Sequence, residues 1–222
     1  MRLSVCFSIL LVFCSLTSFS QTQDEKEAAY TRTILVRSEK IVAPLGIADT
    51  VKSGKVRDLI LQQYRSLNEI YTDRDKKLAE AKELKQTNKE LVQQQIKNIE
   101  NEVNARLYTL HFDYLSKLML YLTAVQIDQV KDGMTYGVLP LTFKGYLSMI
   151  QNLTEEQKQQ IMVWLVEARE HAMDAGSSDE KHKWFGKYKG RINNWLSSAG
   201  YDLKKEGEDW QKRIKLEENK SK

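Results

Sequence analysis

The chain has 222 residues, 41% apolar and 29% charged, and its 34 basic and 30 acidic side chains leave a formal charge of +4. So even a balance gives no general case for nucleic-acid binding. Its two cysteines, Cys6 and Cys14, both fall within the first twenty residues, so the rest carries no disulfide, thiol nucleophile or thiolate metal site.

Arg2, a mostly apolar run from Val5 to Leu16, and Ser18 and Ser20 flanking Phe19 read as a secretory signal peptide. The run is too short for a membrane span, which needs roughly 20 apolar residues. Cleavage after Ser20 is expected to leave a mature chain of residues 21–222 and a periplasmic or extracellular location. Bulky Phe13 argues against a lipid anchor on Cys14.

Beyond the leader, two prolines and ten glycines leave little to interrupt helices. Residues 25–42 form an expected first helix, stopped by Pro44 and Gly46. Asp49 caps the next, where Val56, Ile60, Tyr64, Leu67 and Tyr71 recur at steps of three and four. A charged stretch follows, then a second periodic run from Val92 to Tyr121. Two such runs predict a hairpin over about 49–121, packed coiled-coil fashion. Thr87 and Glu90 fit a capping box at the turn, although no Gly or Pro marks it and one bent helix is the alternative.

Leu122-Thr123-Ala124-Val125-Gln126 and Leu153-Thr154-Glu155-Glu156-Gln157 share the pattern L-T-x-x-Q, which again places Thr at a cap and Gln at the third helical position. Asp132-Gly133 is expected to stop the first of these helices, and Gly137, Pro140 and Gly145 to make a turn-rich stretch before a short helix at 146–151. Gly176 ends the next helix, and Ser177 or Ser178 opens another carrying the stripe Trp184, Phe185, Tyr188, Ile192, Trp195 and Leu196. A last charged helix covers 203–218. No stretch shows strand alternation. The expected fold is all-α, a single domain in which the long hairpin joins a compact helical bundle over about 122–218.

The L-T-x-x-Q pair resembles the signature of Spy-type periplasmic proteins, small helical chaperones and stress sensors. A broader resemblance runs through Asp49–Asp75, with Gln63-Tyr64, Leu67-Asn68 and Arg74-Asp75, and Leu153–Asp202, with Ala168-Arg169-Glu170, Asp174-Ala175-Gly176-Ser177-Ser178 and Phe185–Asn194. These blocks are similar to an uncharacterised secreted bacterial family, the domain-of-unknown-function family numbered 3826. That resemblance implies a companion of polysaccharide-degradation systems and no defined activity.

Enzyme signatures such as G-x-S-x-G, H-E-x-x-H, a phosphate loop or a dinucleotide fingerprint are absent. Glu167, His171 and Asp174 share a helix face, but a metal site needs further convergent ligands, so no metal or cofactor is expected. The candidate ligand surface comprises Arg169, Trp184, Lys187, Tyr188, Lys189 and Arg191, cations around aromatics beside the bare strip of Gly186 and Gly190. Its plainer alternative is an aromatic core under a solvated lysine face. The expected function is a non-enzymatic exported binding or accessory protein. Its partner is an acidic glycan or a client protein, and the alternative is an enzyme or sugar-binding component acting on acidic polysaccharide.

Overall fold

The computed structural model describes residues 10–83 and 89–220. The first nine residues of the expected leader and the Thr87 cap lie outside them. The fold is all-α: among the described residues there are eight α-helices, one 3₁₀ turn and no strand. None of these helices is long and apolar enough to cross a membrane.

The chain divides into two compact units, residues 1–61 and 62–222, with the boundary inside a helix. The first unit holds α1 (Leu10–Val42), which begins fifteen residues earlier than expected, and a 3₁₀ turn over Ala43–Leu45. Gly46, in the left-handed region at φ 66°, makes the stop. The Asp49 carboxylate then accepts from the N–H groups of Val51 and Lys52 at 2.8 and 3.1 Å, capping α2 (Thr50–Glu83). Among the described residues of this unit, Ile34, Ile41, Val42, Leu45, Val56 and Ile60 are the buried apolar ones.

In the second unit, the rest of α2 runs antiparallel to α3 (Lys89–Met119). Lys77 pairs with Glu102 at 2.7 Å and Asp73 with Arg106 at 2.6 Å, so a step forward on α2 meets a step back on α3. This is the hairpin rather than a bent helix. Among the described residues, Ala81 is the last buried apolar one of α2 and Val92 the first of α3.

The bundle adds α4 (Ala124–Met134), α5 (Val138–Met149), α6 (Glu155–Met173), α7 (Ser178–Ser198) and α8 (Leu203–Lys220). Both L-T-x-x-Q segments form complete capping boxes: Thr123 Oγ1 accepts from the Gln126 N–H, Thr154 Oγ1 from that of Gln157, and each Gln side chain accepts from its Thr N–H. Tyr201 pins the second box, donating to Gln157 Oε1 at 2.8 Å.

Two boundaries differ from expectation. Gly133 stays inside the last turn of α4, and the chain reverses at Tyr136 and Gly137, both in the left-handed region. The stretch expected to be turn-rich is α5 itself. Pro140 lies in its first turn, where no backbone N–H is needed, so it starts the helix rather than breaking it.

The core is built by α5, α6 and α7, with Ile161, Leu165, Ala168 and Ala172 facing Phe185, Tyr188, Ile192 and Leu196. Arg213 on α8 donates to the free carbonyls of Ser148 and Met149, both at 2.9 Å, closing the C-terminus of α5.

Candidate functional site

The hairpin and the bundle meet across a cleft of about 570 Å³, within the range of small-ligand sites. One wall is the α3 face carrying Asn104, Leu107, Tyr108, His111 and Phe112, and the other carries Glu170, His171 and Asp174 at the end of α6, with Trp184 of α7 and Tyr71 of α2. The helical repeat explains the first wall, since positions 104, 107, 108, 111 and 112 are neighbours one turn apart. Tyr108 and Phe112 are 69% and 54% exposed and meet edge to face at 4.8 Å, so two rings stand open to the cleft.

His111 is the polar centre. Its Nδ1 lies 2.6 Å from Asp174 Oδ2 and its Nε2 3.5 Å from Glu170 Oε2. The Asp174 hydrogen bond raises the imidazole pKa above its ordinary value, against the opposing effect of burial. Glu170 is also held by Lys131 at 2.8 Å. Glu170 therefore has a cationic partner in Lys131 and Asp174 a hydrogen-bond partner in His111, and both carboxylates are acceptors at this end of the cleft. Asp174 Oδ1 is buried with no hydrogen-bond partner among the described residues.

A second cavity of about 350 Å³ adjoins the first, and both have Tyr71 and Trp184 in their walls. Its other lining residues are Arg74, Ala175, Glu180, Lys183 and Lys187. Arg74 sits 4.5 Å over the Tyr71 ring, 2.8 Å from Asp75 and 3.5 Å from Glu180. Lys183 and Lys187 are exposed and form no ion pair among the described residues, and the Lys187 ammonium lies 5.0 Å over the Trp184 ring.

The shared ring of Tyr71 is closely held. Its hydroxyl donates to the Asp174 carbonyl at 2.9 Å, and its face covers Gly176 so closely that a β-carbon there would lie 2.7 Å from the ring. Burial, followed by the nearby Glu180 charge, pushes its hydroxyl up to about 12, so it stays a neutral donor. Trp184 is half-buried, with the exposed His171 ring stacked at 4.3 Å and 14°.

The six residues singled out in the sequence part company here. Trp184 and Lys187 come together in one cavity. Arg169 is buried and turned to α4, with its guanidinium 2.5 Å from Asp128 and 2.9 Å from Asp132. Tyr188 is in the core, its hydroxyl raised to about 12 by burial and then by Glu167. Lys189 is exposed, and Arg191 stacks over Trp164 at 4.7 Å; neither lines these two cavities. Gly186 and Gly190 are exposed with open space where a β-carbon would be, so they serve no close helix packing. The trio Glu167, His171 and Asp174 is split between Tyr188, Trp184 and His111. Among the described residues no group of three potential ligands is placed to hold a metal.

The family model described as "protein of unknown function (DUF3826)" matches residues 31–216, a span that includes every residue lining both cavities. The chain belongs to that family. No curated protein matches it. The match does not extend to Spy-type proteins; in this DUF3826 chain the two L-T-x-x-Q segments are accounted for by their capping boxes.

Sequence reading missed Tyr71, Arg74, Tyr108, His111 and Phe112. The spacing of Tyr108, His111 and Phe112 on one face of α3, where a seam would carry aliphatics, was the available signal. Nothing local paired that face with Asp174, which is 63 residues away from His111.

Proposed function

We propose that this chain is an exported, non-enzymatic binding or accessory protein that holds carbohydrate in the α3–α6–α7 cleft. The supporting observation is the open pair of Tyr108 and Phe112, with Tyr71 and Trp184 opposite, around the acceptors Glu170 and Asp174. A pyranose ring has an apolar C–H face and a hydroxyl edge, so it needs an aromatic platform beside charged acceptors. Rings supply the face contact, and charge-assisted hydrogen bonds fix the edge. Export follows from the leader-like first twenty residues.

The test is calorimetry on residues 21–222 with neutral and acidic polysaccharide fragments, repeated for Tyr108→Ala and Phe112→Ala. Saturable binding that weakens at least tenfold in either variant, with melting unchanged, supports the reading. A flat panel refutes it and moves attention to protein clients, for which suppression of aggregation is the assay. A second reading, an enzyme acting on the bound glycan, is favoured by the His111–Asp174 couple, because an imidazole oriented by a carboxylate is suited to proton transfer. New reducing ends or unsaturated products from a bound fragment, abolished in His111→Gln, would establish it.

A further inference from the structure

The two cavities that share Tyr71 and Trp184 differ in charge. In the smaller one, Arg74, Lys183 and Lys187 face a single lining acid, Glu180. Among these lining groups Glu180 offsets Arg74, so the surplus positive charge of the lining is that of the two lysines. In the larger one, Lys131 balances Glu170 and the His111 imidazole is hydrogen-bonded to Asp174, so no surplus of positive charge faces the ligand there. A neutral ligand has no use for two free ammonium groups beside its stacking ring, and a compact cation is repelled by them.

Resting on the carbohydrate reading, we infer that the ligand is an anionic oligosaccharide. Its charged substituent sits between Lys183 and Lys187, and a neighbouring neutral sugar lies in the His111–Asp174 cleft. Trp184 then lies beside both units. Lys187 moves from its position over the indole to meet the anion, which its long flexible stem allows. A carboxylate and a sulfate ester share this chemistry. The carboxylate is planar with two charged oxygens, whereas the tetrahedral sulfate ester spreads its charge over three, so the two separate by affinity for matched oligomers.

The experiment titrates residues 21–222 with tetramers of galacturonate, guluronate and mannuronate, the methyl ester of each, a sulfated galactan oligomer, and neutral xylo-, cello- and galacto-tetraoses. At low salt, at least one acidic oligomer is expected to bind at least tenfold tighter than its methyl ester or the neutral members. The advantage should shrink as salt rises. Lys183→Gln with Lys187→Gln is expected to remove about tenfold of that affinity, leaving the neutral oligomers and the melting temperature unchanged. Preference for the sulfated oligomer over every uronate assigns the substituent as sulfate, and the reverse assigns carboxylate. If methyl esters and neutral oligomers bind as well as the acids, or the double variant binds the acids unchanged, the inference is overturned and the carbohydrate reading stands. If nothing binds, both fall.

Discussion

Replacing Gly176 by alanine isolates the contact that sets the shared wall of the two cavities. The added β-carbon would lie 2.7 Å from Cγ and Cδ2 of Tyr71 and 3.0 Å from its Cδ1. Carbon pairs rest at about 3.5–4.0 Å, so ring and backbone must separate by about 1 Å. The ring cannot slide away freely, because its hydroxyl is tied to the Asp174 carbonyl at 2.9 Å. Gly176 has no positive φ, so alanine brings no backbone strain of its own and the whole cost comes from the ring. Overpacking of this kind costs about 1–3 kcal/mol. In a chain of this size each kcal/mol lowers Tm by about 2–4 °C, so Gly176→Ala should melt several degrees early. The decisive assay is a double-mutant cycle by urea or thermal denaturation: in a Tyr71→Leu background the alanine should cost less than about 0.5 kcal/mol. Equal costs in the two backgrounds would refute the argument, since the penalty would not come from the ring.

Arg169→Ala should cost about 1.5–3 kcal/mol in urea denaturation, from lost charge-assisted bonds to Asp128 and Asp132, and lysine should rescue only part because it lacks the planar fork. Unchanged stability with weakened glycan binding would instead make Arg169 a ligand-contact residue. His111 is raised above its ordinary 6.5 by Asp174, with Glu170, Lys131 and Phe112 also facing it. A raised folded pKa adds stability that is complete below 6.5 and lost as pH climbs through the folded value. The melting temperature of the native chain should therefore fall across that window relative to His111→Gln; parallel curves would show that the Asp174 pair contributes nothing to folding.

Helix content was legible because its signals are local. Asp49, Thr123, Thr154 and Ser177 are caps whose side chains reach only three residues along the chain, and each forms as its spacing indicates. Pro140 was misread because proline stops a helix interior but suits a first turn, and only the left-handed Gly137 before it decides which applies. The core stripe of α7 was also visible, since Phe185, Tyr188, Ile192 and Leu196 follow the helical repeat into the bundle.

The cleft was not legible in the same way. Trp184 and Lys187 are one turn apart and could be paired by eye. The opposite wall comes from α2 and α3, over sixty residues away in sequence, and register between helices is set by packing that no local pattern states. Arg169 shows the converse. Its type suggested a ligand, but Asp128 and Asp132, one turn apart on α4, present a ready-made pair of acceptors to it inside the protein.

Tyr71 and Trp184 each wall two cavities, and this has a practical bearing on how such a protein reveals its ligand. On the carbohydrate reading proposed above, a single sugar engages one side of the shared rings and must meet the full entropic cost of immobilisation by itself. A longer chain that enters one cavity delivers its next unit to the other at a high effective concentration, so the second contact adds affinity at little further cost. Fragment affinities will then fail to sum to that of the oligomer, and a library of monosaccharides is the wrong place to look. Affinity should rise steeply from one unit to two or three and level off once both cavities are filled.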